Sequence, residues 1–151
     1  MSNLCVICAR GGSQGIKNKA LVKINNKPLI SFTINQAIKS KIFSEVIVST
    51  DSLKIQNVAK FYGAKSWFLR PKNISSSDSS KLLAIRHALI ESEKFFKKKF
   101  DTCFDLDVTS PLRSINDIKK AFNKFKNGNY SNLISVCEAK KNPYFNLVEK
   151  K

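Results

Sequence analysis

The apolar run Leu4–Ala9 (LCVICA) leads directly into Arg10–Lys19 (RGGSQGIKNK), a loop that holds three glycines and three basic side chains. Six apolar residues followed by glycines are typical of a buried strand. Glycine permits positive φ angles and a close approach of the backbone, so that successive N–H groups can point at phosphate oxygens. This stretch predicts a buried strand that ends at a turn suited to an anion, with an ordinary structural turn as the alternative.

Helices and strands alternate along the rest of the chain. Helical spacing of apolar residues occurs in four segments: Ile30, Ile34, Ala37 and Ile38 after Pro28; Ile55, Val58, Ala59 and Tyr62, stopped by Gly63; Leu82, Ile85 and Leu89; and Ile115, Ile118, Phe122 and Phe125. Strands are expected at Val46–Val48, Ser66–Leu69, Thr102–Leu106 and Leu133–Val136. Repeated β-α-β units predict a three-layer α/β/α fold, with a mostly parallel sheet covered by helices on both faces.

Three polar clusters follow predicted strands: Arg10–Lys19, Ser49–Asp51 and Asp105–Arg113. Parallel sheets place ligand sites beyond the carboxyl ends of their strands, so these loops are expected to converge on one crevice. Asp51 either faces the crevice or caps the following helix, and capping is slightly favoured because aspartate suits that position. Asp78 or a neighbouring serine is expected to cap the third helix.

The first loop favours a polyphosphate ligand. Arg10 offers a bidentate fork to a phosphate, and Lys19 offers a movable point charge. The glycine spacing matches neither the P-loop nor the dinucleotide fingerprint, which disfavours a P-loop ATPase and a Rossmann dinucleotide site.

The same loop resembles the signature of the acylneuraminate cytidylyltransferases, the CMP-sialic acid synthetases. Further matches occur in order along the chain: Lys27–Ile30, Val48–Asp51, Tyr62–Ala64, Leu69–Pro71, Asp78, Thr109–Arg113, Ser135–Val136 and Pro143–Tyr144. The glycine loop and the Thr-Ser-Pro-Leu-Arg segment are the specific matches, and the others support them. The resemblance covers nearly the whole chain.

This resemblance implies a nucleotide-diphospho-sugar transferase fold and the transfer of CMP from CTP to a nine-carbon 2-keto sugar acid, with release of pyrophosphate. By the resemblance, Arg10 and Lys19 hold the triphosphate as the catalytic cations, with Mg²⁺ as the cofactor. Nucleotide contacts are implied for six further residues: Gly11, Gly12, Ser13, Asn18, Arg70 and Ser80. The alternatives are a related sugar nucleotidyltransferase that uses another nucleotide or sugar phosphate, and an inactive remnant or basic binding module.

Two departures from the family pattern bear on specificity. The family usually has Asn where this chain has Ala20, so a nucleotide contact of that Asn is lost, and Asn18 is the substitute candidate. Many members have Gln where this chain has Asp107, and Asp at this point resembles enzymes for legionaminic-type sugars. Asp107 is therefore the hypothetical ligand of Mg²⁺ or of the substrate. Asp105 is expected to be a structural residue at the strand edge.

The net charge of +16 indicates a compositional bias more than a nucleic-acid surface. Of the 27 basic residues, only four are arginine, and the lysines are spread along the whole chain. The expected partners are therefore CTP and the sugar acid, without nucleic acid or membrane, and the resemblance implies a homodimer. A single nucleotidyltransferase domain is expected over residues 1–151, shorter than the family by its C-terminal dimerisation and sugar-binding segment.

The Cys5–Cys8 pair indicates free thiols, and the first residues indicate a cytoplasmic protein. Cys5 and Cys8 match C-x-x-C, but the period of a strand points them to opposite faces, so buried free thiols are favoured over a zinc or redox site. The first residues lack the basic segment and the long apolar stretch that signal peptides have.

Overall fold

The computed structural model describes residues 1–12 and 15–138. These described residues form five strands: β1 Asn3–Cys8, β2 Lys23–Ile24, β3 Lys27–Pro28, β4 Glu45–Ser49 and β5 Thr102–Asp105. The same part of the chain forms four α-helices: α1 Leu29–Ser40, α2 Leu53–Phe61, α3 Lys81–Phe96 and α4 Ile115–Asn127. Two single 3-10 turns lie at Lys19–Leu21 and Lys72–Ile74.

Strand β1 is the centre of a parallel sheet with the order β4-β1-β5. Cys5 pairs with Val46 on one side and with Phe104 on the other. The carboxyl ends of all three strands therefore meet at one edge of the sheet, as predicted. Strands β2 and β3 form a separate antiparallel hairpin, and the positive φ angles of Asn25 (47°) and Asn26 (62°) suit its two-residue turn.

Helices cover both faces of the sheet, which confirms the predicted three-layer α/β/α architecture. Cys5 and Ile7 of β1 pack on the face that holds the buried side chains of α1 and α2, including Ile34 and Ile55. Leu4 and Val6 pack on the opposite face with Ala88 of α3. The alternation along β1 also separates Cys5 from Cys8, as the period of the strand predicts.

The apolar face of α3 differs from the prediction. Ala84, Ala88 and Ser92 are its buried residues, whereas Leu82 is 70% exposed. Small residues allow the helix to approach the sheet closely, and the larger leucine is left at the outside. The helix is capped by a serine as expected, because the Ser80 side chain accepts a hydrogen bond from the backbone N–H of Leu82 at 3.2 Å.

Two predicted strands are wrong. Ser66–Leu69 is no strand, and the sheet contact there is one parallel bridge between Ile47 and Lys65. Leu133–Val136 is also irregular, and Val136 is 84% exposed. A strand forms only when a neighbouring strand pairs with it. Side chains that favour strands do not by themselves provide such a neighbour within the described part of the chain.

The chain divides into two units, Met1–Lys120 and Ala121–Lys151. The single domain over residues 1–151 stays a prediction. Within the described residues, none of the helices has the length and apolar character that a membrane span requires.

Candidate active site

A cavity of about 480 Å³ opens at the carboxyl edge of the sheet. Cys8 ends β1 at its floor, and Lys81 at the start of α3 forms part of its wall. The remaining lining residues come from the segment after β1, from the segment between α2 and α3 together with Ala84 of α3, and from the loop after β5: Ala9, Arg10, Gly15, Lys19 and Ala20; Arg70, Ile74–Ser77, Ser79, Ser80 and Ala84; and Asp107–Thr109. We refer to this space as the site cavity.

The glycine loop is held in place by a carboxylate. Asp51, two residues after β4, accepts a hydrogen bond from the backbone N–H of Gly11 through Oδ1 at 2.8 Å. The N-cap of α2 is instead Ser52, whose side chain makes no cap hydrogen bond. The interpretation of Asp51 as a helix cap is therefore wrong, and its carboxylate fixes the start of the loop that carries Arg10.

Gly11 packs closely against Ser52. A Cβ atom on Gly11 would lie 3.1 Å from Cβ of Ser52, so a side chain there would require Ser52 to shift by a few tenths of an ångström. Among the described glycines only Gly63, which follows α2, has a positive φ. Of the two properties that favour glycine in this loop, the structure therefore shows close approach at Gly11 and no positive φ at Gly11, Gly12 or Gly15.

Arg70 lies in the wall of the site cavity and is only 7% exposed. Its backbone N–H donates to the carbonyl of Thr50 at 2.8 Å, which ties it to the end of β4. Its side-chain Nε is buried and has no hydrogen-bond partner among the described residues. A buried N–H donor without a partner is costly, so the Nε of this cavity-lining residue is a candidate donor to an anion.

A serine-rich segment forms the rim next to Arg70. Ser75 Oγ donates to the carbonyl of Pro71 at 2.8 Å, and the hydroxyls of Ser76 and Ser79 lie 2.7 Å apart. Sequence reasoning selected only Ser80 in this segment. A run of serines is typical of any surface loop, and nothing local in the sequence shows that this one turns into the cavity.

The backbone of Asp107 is anchored from behind by α1 and by Arg113. The Asp107 carbonyl accepts hydrogen bonds from Thr33 Oγ1 at 3.1 Å and from the Arg113 guanidinium at 3.0 Å. Gln36 Nε2 donates to the carbonyls of Pro111 and Arg113. The Thr-Ser-Pro-Leu-Arg segment therefore shapes the loop that presents the Asp107 carboxylate at the cavity, where its side chain is 58% exposed.

Lys81 joins two carboxylates at the same rim, and sequence reasoning missed it. Its Nζ forms ion pairs with Asp105 and, at 2.6 Å, with Oδ1 of Asp107. Burial acts to lower the pKa of Lys81, but the hydrogen bonds to Asp105 and Asp107 raise it above its ordinary value. Burial raises the pKa of Asp105, and the contact with Lys81 offsets this only in part. Asp105 is thus an ion-paired residue at the end of β5.

Five of the predicted site residues line one cavity: Arg10, Lys19, Arg70, Ser80 and Asp107. Gly11, Gly12 and Asn18 do not line it, and Ser13 lies outside the described residues. Two of the three predicted loops reach the cavity. Ser49–Asp51 instead supports it through Gly11, and its place in the wall is taken by Arg70 and the serine segment.

The chemistry of the cavity suits a polyanion. Arg10, Lys19 and Arg70 supply three cationic side chains, and serine hydroxyls supply neutral donors. Burial raises the pKa of the Cys8 thiol to about 11, so it stays protonated at neutral pH and is a poor nucleophile. No group of three or more His, Cys, Asp or Glu residues that could hold a metal ion occurs in the parts of the chain the structure describes.

Comparison with known proteins gives concordant results. The model of the cytidylyltransferase family matches residues 4–148. The post-translational flagellin modification protein B of Campylobacter coli is 47% identical over 146 residues, which are 97% of this chain and 62% of that protein. The CMP-N,N'-diacetyllegionaminic acid synthase of Campylobacter jejuni is 49% identical over 146 residues, with the same coverage of both chains. This chain therefore spans about 62% of the length of these curated relatives.

Among solved structures, CMP:2-keto-3-deoxy-manno-octonic acid synthetase complexed with CTP is similar, with a TM-score of 0.67 and 23% identity. The match covers 84% of this chain and 48% of that chain. At this level of identity the likeness shows the fold, which is the predicted nucleotidyltransferase type of α/β/α architecture.

Proposed function

The chain belongs to the cytidylyltransferase family, and on that premise we propose that it transfers CMP from CTP to a nine-carbon 2-keto sugar acid and releases pyrophosphate. The observation that carries the proposal is the grouping of Arg10, Lys19 and Arg70 around one cavity at the carboxyl edge of the sheet. A nucleoside triphosphate is a ligand whose charge and size fit three such cations.

In the proposed reaction the anomeric hydroxyl oxygen of the sugar acid attacks the α-phosphorus of CTP. The bond from this phosphorus to the oxygen bridging to the β-phosphorus breaks, pyrophosphate leaves with the electron pair, and the hydroxyl proton passes to solvent. Arg10 and Lys19 stabilise the charge that develops on the leaving group, and Arg70 holds the nucleotide. The protein needs no covalent nucleophile for this step, which agrees with the protonated thiol of Cys8.

Magnesium is part of the proposal. Mg²⁺ commonly binds proteins through one or two carboxylates, with substrate phosphates and water as its other ligands. Asp107 fits this mode, because its carboxylate lies at the cavity and is more than half exposed. When bound there, the ion would neutralise negative charge on the phosphates.

The sugar acid is proposed to be of the legionaminic type. The resemblance of the Asp107 segment to enzymes for such sugars and the 49% identity to a CMP-N,N'-diacetyllegionaminic acid synthase support this choice. A homodimer, as the family resemblance implies, and a cytoplasmic location complete the proposal.

The experiment is a pyrophosphate-release assay on the 151-residue chain with legionaminic acid, Mg²⁺ and each of CTP, UTP, GTP and ATP. The proposal expects release with CTP at a rate at least tenfold above that with the other nucleotides. Arg10→Ala should lower this rate, whereas Arg86→Ala, a matched change on the exposed side of α3, should leave it unchanged.

Each other outcome contradicts a defined part of the proposal. Preference for another nucleotide would favour a related sugar nucleotidyltransferase. Binding of CTP without pyrophosphate release, measured by calorimetry on the same chain, would favour a binding module without catalysis.

A further inference from the structure

Lys81 occupies a position that helix stability does not explain. It is the first residue of α3, where the helix dipole disfavours a cation, and the first turn of this helix carries no acidic residue. Exposed ion pairs contribute little to stability, and the Lys81 side chain is 40% exposed. A lysine that opposes the dipole at a cavity rim therefore points to a role in the cavity.

The contacts of Lys81 connect two elements of the site. Its ammonium contacts Asp105 at the end of β5 and lies 2.6 Å from Oδ1 of Asp107, the residue presented at the cavity by the following loop. The residue before it, Ser80, caps α3 and lines the cavity. Lys81 thus connects the serine-rich segment, which ends at its neighbour Ser80, to the loop after β5 that carries Asp107.

The electrostatic effect follows from the charges at the cavity. A triphosphate is attracted by Arg10, Lys19 and Arg70, but the carboxylates of Asp105 and Asp107 repel it. With Lys81 between them, the pair carries a net charge of one negative unit instead of two. Removal of the ammonium would also leave two like charges close together at the mouth of the cavity.

We propose that Lys81 is a positioning residue of the triphosphate site, which holds Asp105 and Asp107 in a partly neutralised triad and thereby keeps the cavity open to polyphosphate. This role rests on the proposed function. Lys81 acts through the two carboxylates and not by contact with the reacting atoms.

The test is the binding of inorganic triphosphate and of CTP, measured by calorimetry in buffer with EDTA so that no divalent ion takes part. Lys81→Gln should weaken the binding of triphosphate about tenfold at low salt, as expected for one unit charge removed near the ligand. Lys81→Arg keeps the charge and should bind like the unchanged chain. Asp107→Asn should bind more tightly, and the double change Lys81→Gln/Asp107→Asn should restore the original affinity.

The controls separate charge from structure. Lys94→Gln removes a lysine of the same helix that pairs with Glu91 away from the cavity, and it should leave the affinity unchanged. The loss in Lys81→Gln should shrink when salt is raised to 0.5 M, because screening weakens the repulsion.

Unchanged triphosphate binding in Lys81→Gln, or no recovery in the double variant, would overturn the role of Lys81 while leaving the proposed function intact. Failure of the unchanged chain to bind either CTP or triphosphate in EDTA would overturn the role of Lys81, and failure to bind CTP with Mg²⁺ added would contradict the proposed function itself.

Discussion

At the scale of single residues, the Asp51 carboxylate supports the glycine loop. Its Oδ1 accepts the N–H of Gly11 at 2.8 Å, next to the arginine that lines the site cavity. Gly11 in turn packs closely on the residue after Asp51, since an added Cβ would lie 3.1 Å from Cβ of Ser52. The position of Arg10 therefore depends on a residue that follows a different strand.

Asp51→Ala is expected to raise the KM for CTP about tenfold and to lower the melting temperature. The hydrogen bond to a charged acceptor contributes roughly 1.5 kcal/mol, and the loop loses its anchor without it. Steady-state kinetics and thermal denaturation measure the two effects. Asp51→Asn keeps an acceptor oxygen and should lose less.

Ser52→Ala is the matched control, because the Ser52 side chain makes no cap hydrogen bond. It should change neither quantity. An unaltered KM in Asp51→Ala would show that the Gly11 contact does not position the loop.

Sequence reasoning at this scale succeeds where function is carried by a local pattern. Arg10 and Lys19 belong to the glycine-containing loop that follows an obvious strand, so their place at the cavity could be predicted. The place of Lys81 in the site could not be predicted, because it depends on ion pairs with Asp105 and Asp107, which are more than twenty positions away in the sequence. Asp51 was misassigned for the same reason: capping is a local rule, and the Gly11 contact is not local.

At the scale of elements, α3 shows how helical periodicity can locate a face and still misplace its edge. Ala84, Ala88 and Ser92 are the buried residues, and the predicted Leu89 packs against the same core, but the predicted Leu82 is 70% exposed. The buried stripe is therefore formed mainly by small residues, next to the larger ones that the spacing selects. The contact with β1 favours small side chains, and hydrophobicity alone does not report the available space.

Ala88→Leu is expected to destabilise the protein by about 1–3 kcal/mol, because Ala88 is fully buried against Leu4, Val6 and Ile47. Chemical denaturation followed by circular dichroism measures the change. Leu82→Ala on the exposed side of the same helix should stay within about 0.5 kcal/mol. Equal effects of the two changes would contradict the assigned face of α3.

At the scale of the whole molecule, most of the +16 charge lies outside the site. The electric field of this charge attracts polyanions to the protein in general. The three cations around the site cavity define where a polyanion would bind. The order of elements and both covered sheet faces followed from the β-α-β pattern in the sequence. The strand at Leu133–Val136 did not, because a strand forms only where a neighbouring ladder accepts it.

The central claim is that the site cavity binds the triphosphate of CTP, and Arg70→Gln tests it most directly. Arg70 is buried, and its Nε has no hydrogen-bond partner among the described residues. Replacing this side chain therefore breaks no hydrogen bond of Nε within the described part of the chain. Calorimetry with CTP should show at least a tenfold loss of affinity in Arg70→Gln, and no loss in the matched surface change Arg86→Gln. Equal affinity of the two variants for CTP would contradict the account.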